Sequence, residues 1–492
     1  MSDSPSSSAP RYIAVDRNQL RLEPLDVDRL IDNNHPARKI WRVVEQLDLS
    51  RFASETRAVE GVAGRPSHSP QLLVAVWIYA YSKGIHSARE LERQMRYEPG
   101  LRWLAGLNVI NHHTLSDFRV GYGEALRELF EQVLAMLTMK GLITLERVAV
   151  DGTMIRADAG KKSFGKRAKI EAHLAMAREH LDELERAERD EHTSQRQQSA
   201  RRRAALEREQ RLEEALEEIE RLRAAKKGDK KKEQQASSSD PSAAFMWMHD
   251  GGVAPAYNVQ VTADGARGLI ADIEVVNDPQ DGQQIAPAMD RLKDRNGFYP
   301  QQTLADGAYT NLASVMDMHE RAIDYYSTWT GRTEGATGRA KQQHEDYRRD
   351  CFEFDAKTNE LICPEGKRLP YRYSTERKGC ELHLYRASPD DCGPCPARAL
   401  CCPKLNLNNG GRSVSFTIHD PAIEAFDEKM ARPEALAIYK KPAPLAEFPN
   451  AWIKTKLKLR RFATRGLERV QCEATWAALT FNLQRMFQLA PA

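Results

Sequence analysis

Two aspartates, Asp151 and Asp306, each close a short apolar run and each precede a glycine, in LERVAVDGT at 145–153 and QQTLADGAY at 301–309. The β-branched Val148 and Val150 make the first run a buried strand ending at Asp151; QQTLAD reads as a second strand. A carboxylate just past a buried strand projects from the sheet edge, where open α/β sheets collect ligands. On neighbouring strands two such carboxylates would stand close together, and like charges that near repel unless a cation lies between them. Hard divalent cations take oxygen ligands, and Mg2+ keeps water positions open for a substrate phosphate. A third carboxylate, from a helix, would complete a site for two ions about 3.5–4 Å apart, suited to phosphoryl transfer. Taken singly, each Asp-Gly pair is also ordinary turn chemistry, as are Asp158, Asp264 and Asp278 near other strand ends.

The elements that must carry these acids follow from periodicity. Apolar residues at three-to-four spacing predict helices over 26–33, 36–47, 69–83, 87–97 and 115–140, with Ser87 and Thr114 as N-caps. The turn around 99–111 between two of them fits a helix-turn-helix and equally a small helical bundle. Strands are predicted at 257–264 and 269–277, joined by the hairpin turn GARG, and at 322–327; helices are predicted at 283–295 and 312–321. The order fits a mixed α/β sheet with flanking helices. Between the first two strands, residues 170–186 and 206–222 carry narrow leucine stripes of an antiparallel helical pair, followed by the linker KKGDKKKEQQASSSD. The tail from Pro433 to Phe487 is predicted helical, and residues 1–20 a disordered arm.

With 492 residues, 41% hydrophobic and 29% charged, the chain is long enough for several domains and at least one large core. No apolar run is long enough to span a bilayer and the N-terminus has no secretory signal, so a cytoplasmic protein is expected. The net charge of +3 says little about partners, but Lys and Arg cluster at 160–169, 201–203, 226–232 and 454–469. A local basic face can bind phosphates because the Debye length is only about 8 Å at physiological salt. In the last cluster Lys454, Lys456, Lys458, Arg460, Arg461, Arg465 and Arg469 interleave with Trp452, Leu457, Leu459 and Phe462. That is too apolar for a free tail and too basic for a plain core helix, and it reads as a contact to the DNA backbone. An amphipathic helix snorkelling its cations is the alternative.

Of eight cysteines, seven lie between 351 and 402. Cys392 and Cys395 have the C-x2-C spacing that lets two thiolates share a tetrahedral Zn2+, and Cys363 and Cys401 could complete a structural site. A reduced, partly buried thiol cluster accounts for the same letters.

Five segments carry a resemblance: GRPSHSPQLLVAVWIYAYSKGIHSARELERQMRYEPGLRWLAGL with HHTLSDFR, VAVDGTMIRADAGKKS, AYNVQVTAD, TLADGAYTN, and the stretch from IYKKPAPLAEFPNAWIKTK to TFNLQRMF. In these the chain resembles a DDE transposase of bacterial insertion sequences, in the insertion-sequence 1182-like group. The resemblance implies an RNase H-like catalytic domain at 144–329 and 426–492 and an N-terminal helical domain at 21–143 that binds DNA. It leaves a charged helical insertion at 158–245 and a cysteine-bearing insertion at 330–425. It implies Asp151, Asp306 and Glu447 as catalytic and metal-ligating residues, with Mg2+ or Mn2+ as cofactor. Lys454, two helical turns beyond Glu447, would share its face. Tyr439 matches a tyrosine of the family, whereas the arginine that often follows it is absent, and FPNAWIK replaces a common Phe-Gly step. The implied activity is metal-dependent DNA strand cleavage and strand transfer. The implied partners are double-stranded DNA, as terminal inverted repeats and target, and further copies of the chain in a homodimer or larger assembly. A nuclease of the same fold without strand transfer, and a catalytically inactive transposase-derived DNA-binding protein, are the alternatives.

Overall fold

The computed structural model describes residues 18, 24–54, 66–187, 195–225, 233–329, 344–377, 380–403, 410–418, 421–440 and 443–489. The N-terminal arm, apart from Asn18, and the lysine run at 226–232 lie outside them.

The first unit is helical: α1 (Pro36–Val44), α2 (Ser50–Ser54), α3 (Pro70–Ser82), α4 (Ala88–Gln94), α5 (Pro99–Leu104), α6 (His112–Gly121) and α7 (Gly123–Met139). Proline occupies the first turn of α1, α3 and α5, where its missing N–H costs nothing. Three predictions are corrected here. The expected turn at 99–111 contains α5, and the expected helix over 115–140 is split at Tyr122 into α6 and α7. The cap before α6 is Asn111, which accepts from the Thr114 amide at 2.9 Å, so Thr114 itself is helical. Residues Leu73–Tyr81 of α3 are all buried, as expected of a helix that is apolar all round.

The chain then enters a sheet through β1 (Arg147–Arg156). Next come β2 (Phe164–Lys166), the long helices α8 (Arg167–Ala187) and α9 (Gln195–Ala225), β3 (Gln235–Ser237) and β4 (Ala244–Trp247). α8 and α9 pack through Ile170, Leu174, Ala177, Leu212, Ala215 and Ile219. The end of the predicted linker, Gln235–Ser237, is in fact β3, paired antiparallel with β2 to close the base of this helical pair. There follow β5 (Val253–Asp264), β6 (Ile270–Val276), α10 (Ile285–Asn296), β7 (Gln302–Ala305), α11 (Leu312–Glu320) and β8 (Asp324–Tyr326).

The main sheet runs β4-β5-β1-β7-β8, with β6 also on β5. β1, β7 and β8 are parallel, while β5 runs antiparallel to β1, β4 and β6. β1 does not end at Asp151 as its sequence predicts. It runs five residues further because β5 pairs with it as far as Arg156↔Ala256. The parallel pairing with β7, by contrast, stops at Val150↔Ala305.

A second, antiparallel sheet is built from β9 (Glu353–Asp355), β10 (Glu360–Ile362), β11 (Arg368–Arg377), β12 (Cys380–Arg386) and β13 (Ser413–Ile418). The single turns α12 (Pro389–Cys392) and α13 (Arg398–Cys401) lie between β12 and β13. The chain closes with α14 (Pro421–Met430), α15 (Pro433–Lys440), α16 (Ala443–Thr455) and α17 (Leu467–Leu489). The tail is therefore not helical throughout: the basic stretch Lys456–Gly466 is an irregular loop.

One apolar core runs without a break from α3 through α17 to both faces of the main sheet. Trp476 of α17 donates to the Arg119 carbonyl at 3.1 Å, and Trp77 of α3 to the Leu115 carbonyl at 3.0 Å. Among the described residues no helix is long and apolar enough to cross a membrane.

Candidate active site

The last parallel pair of β1 and β7 is Val150↔Ala305, and the next residue in each segment is an aspartate, Asp151 within β1 and Asp306 just past β7. Asp151 and Asp306 are thus brought side by side by register. Asp306 caps the 3-10 turn Gly307–Tyr309, its Oδ1 accepting from the Ala308 amide at 2.8 Å. Its carbonyl accepts from Ser327 Oγ at 2.9 Å, which ties the turn to the end of β8.

α16 brings the third acid. Phe448 and Trp452 pack on Phe481 of α17, and Trp452 Nε1 donates to Gln484 Oε1 at 3.0 Å. With that face anchored, Glu447, Asn450 and Lys454, spaced three and four apart, share the side of α16 toward β1. Asn450 Nδ2 donates to Asp151 Oδ2 at 2.8 Å. Asp151, Asp306, Glu447, Asn450 and Lys454 line one cleft of about 590 Å³. Its rim adds Tyr439 and Lys440 from α15 and His249 from the turn between β4 and β5. Tyr439 and Thr328 set their hydroxyls 3.3 Å apart.

The electrostatics are those of crowded acids. Burial holds the Asp151 carboxyl above its ordinary range; donation by Asn450 works against this, and the charges of Asp306, Asp281 and Glu447 add to it. Burial also raises Asp306, opposed by the Ala308 amide and reinforced by Asp281. Lys454 is lowered by burial, with Asp151 pulling it back up. An all-oxygen donor set of mutually repelling carboxylates matches a hard divalent cation. As the side chains stand, no three His, Cys, Asp or Glu groups among the described residues converge as a ready-made cage.

Sequence reading missed the support behind Asp151. Asn258 and Gln260 of β5 are buried amides, and both donate to Asp281 Oδ1 at 2.7 Å. The hydroxyl of buried Tyr309 donates in turn to Gln260 Oε1. Asp281 lies over Gly152, where a Cβ would come within 2.5 Å of its Oδ1. The signal available was the pair of amides at alternate positions of the otherwise apolar run YNVQV.

The basic residues divide. Lys454 faces the acids, but Lys456, Lys458, Arg460 and Arg461 project from the loop after α16 while Leu457, Leu459 and Phe462 are buried beneath it. Arg465 lines a separate cleft of about 740 Å³ against α9, held by Asp158 Oδ2 at 2.9 Å. Glu473 is wholly buried in α17 and accepts from the Ala463 and Thr464 amides, which pins this loop. Glu434 is exposed at the start of α15. Asp264 accepts from the Ala266 amide and Asp278 from the Gln280 amide, the turn roles expected of them, and the second oxygen of Asp264 also accepts from the distant Thr144 and Leu145 amides at the entry to β1. Cys363, Cys392, Cys395 and Cys401 line one small cavity beside the second sheet.

Comparison with known proteins gives two family matches. A model described as a transposase domain (DUF772) matches residues 25–121, and one described as a transposase DDE domain matches residues 362–487. No curated protein matches the chain. Among solved structures, a piggyBac transposase synaptic complex with hairpin DNA aligns at 7% identity with a TM-score of 0.32, over 94% of this chain and 74% of that one.

Proposed function

We propose, from the premise that this chain belongs to the DDE transposases of the insertion-sequence 1182-like kind, that it cleaves DNA at an element's ends and joins the freed ends to target DNA. What carries the reading is that Asp151, Asp306 and Glu447, far apart in sequence, line a single cleft together with Lys454. The strand order, with three parallel strands and β5 and β6 antiparallel at one side, supports an RNase H-like catalytic domain.

In this reading the three carboxylates hold Mg2+ or Mn2+. When bound, such ions polarise the phosphoryl group and activate the attacking oxygen. Asn450 fixes the rotamer of Asp151 and leaves its other oxygen for the cation. Lys454 takes a phosphate oxygen of the strand to be cut, and the loop cations Lys456, Lys458, Arg460 and Arg461 hold the backbone beside it. Arg465, held by Asp158, serves a more distant stretch of DNA. Hydrolysis at the element end releases a 3′-hydroxyl, which then attacks a target phosphodiester in line. Both ends must be held at once, so the working form is a homodimer or larger assembly on DNA, cytoplasmic and associated with the nucleoid.

Strand cleavage on element-end DNA, followed by strand transfer of pre-cut ends, tests this. Asp306→Asn should lose several kcal/mol of transition-state stabilisation, about 10³-fold in rate or more. EDTA should abolish the wild-type reaction and Mg2+ restore it. Full activity of Asp306→Asn would overturn the proposal; cleavage without transfer would leave a nuclease in its place.

A further inference from the structure

The second sheet has too little core to stand on packing alone. Its buried apolar cluster is Phe352, Leu361, Leu369, Tyr385, Ala387 and Val414, and the side chains that extend it are Cys363, Cys392 and Cys401. Units this small ordinarily need a disulfide or a metal to stay folded. The described cysteines here form no disulfide.

The thiols are instead gathered at one place. Cys363 follows β10, Cys392 ends α12, Cys401 ends α13, and Cys395 and Cys402 adjoin them. All five line a small cavity of about 30 Å³. Two sulfurs are already served by the main chain. The Lys367 amide donates to Cys363 Sγ at 3.2 Å across the turn Cys363–Lys367, which Gly366 closes with φ +73°. The Arg412 amide donates to Cys392 Sγ at 3.3 Å. Amides directed at sulfur from two separate segments support thiolates that bind a metal. A cluster of neutral thiols has no need of them. Lys367, Arg398 and Arg412 also line the cavity, against Glu365 and Asp391, and so offset part of the charge four thiolates would bring.

We propose that Cys363, Cys392, Cys395 and Cys402 form a structural tetrathiolate zinc site that holds the second sheet together. Cys392 and Cys395 follow from their C-x2-C spacing in the sequence, which left Cys363 and Cys401 as residues that could complete the set. The fourth is Cys402 rather than Cys401, because both line the cavity but Cys402 is the buried member of the pair. The sulfurs do not converge on one point as they stand. α12 is a single turn that ends at Cys392 and α13 a single turn that leads into Cys402, so these two ligands sit on short segments. Four sulfur ligands leave no open position, which makes the role structural.

The test is metal content and spectroscopy on the full chain. Purified without chelators, it should carry about one zinc per chain, released by a mercurial thiol reagent. Replacement by Co2+ should give a sulfur-to-cobalt charge-transfer band, which ions at the carboxylate cleft cannot produce. Cys402→Ser should lose the metal and the band, whereas Cys401→Ser and Cys472→Ser keep both. Wild-type protein needs no variant to fold: a chelator that strips the zinc should lower its melting temperature. Absence of both zinc uptake and the cobalt band in reduced wild-type protein would overturn the site. Loss with Cys401→Ser and retention with Cys402→Ser would overturn the assignment of the fourth ligand. Neither result depends on whether the acidic cleft cuts DNA.

Discussion

Replacing Gly152 by alanine probes the wall behind the acids without touching any of them. Gly152 has ordinary strand backbone, so alanine meets no dihedral strain there; the obstacle is space. Its Cβ would lie 2.5 Å from Asp281 Oδ1, 2.8 Å from Gln260 Nε2 and 3.0 Å from Asn258 Oδ1. The first is roughly 0.9 Å short of the 3.4 Å at which ordinary contact begins. Asp281 cannot yield cheaply, because the same oxygen accepts from Asn258 and Gln260 at 2.7 Å each. Either those bonds break or β1 shifts and carries Asp151 with it. Overpacking of this kind costs about 1–3 kcal/mol of stability. A displacement near 1 Å at a reacting group costs on the order of 10²-fold in rate. Strand cleavage with Mg2+ and a denaturant melt read the two effects. Gly160→Ala is the control, since nothing lies within 4 Å of its added Cβ. Cleavage by Gly152→Ala within about threefold of wild type, with an unchanged melt, would refute the claim that this wall sets the acid geometry.

Acid stability should report on His86, which burial lowers to about 4 and whose Nε2 has no hydrogen-bond partner. The unfolded chain takes up this proton below about pH 6.5 while the folded chain refuses it, so stability falls from there down through the folded value, by roughly 3 kcal/mol in all. Melting curves from pH 7 to 4 should therefore flatten in His86→Asn; an unchanged slope would count against the assignment. Removing Lys456, Arg460 and Arg461 together should weaken DNA binding across sequences and reduce the slope of log affinity against log salt by about 2–3. A slope equal to wild type would mean that the loop does not touch the phosphate backbone.

What the sequence determined by itself was local. The apolar runs before Asp151 and Asp306, the leucine stripes of α8 and α9, and the apolar periodicity of the helices each depend on neighbours a few residues away, and most of these elements form where periodicity puts them. The exceptions are the helix expected over 26–33, of which only the 3-10 turn Asp28–Leu30 forms, and the one expected over 115–140, which breaks at Tyr122. The glycine after Asp151 misled, because turn chemistry and strand chemistry share the letters Asp-Gly. Only β5, a hundred residues on, decides that β1 continues to Arg156 and that Gly152 is there to make room for Asp281. The basic stretch after Lys454 shows the same limit. Its alternating apolar residues are buried, and the buried carboxylate of Glu473 on α17 holds the Ala463 and Thr464 amides at its end, so it becomes a loop where local propensity suggested helix. The meeting of Asp151, Asp306 and Glu447 likewise belongs to the tertiary structure. Parallel register sets the first two side by side, and the packing of α16 on α17 turns the third toward them. Both are contacts between segments far apart in the chain, and short-range patterning carries no information about which distant surfaces will meet.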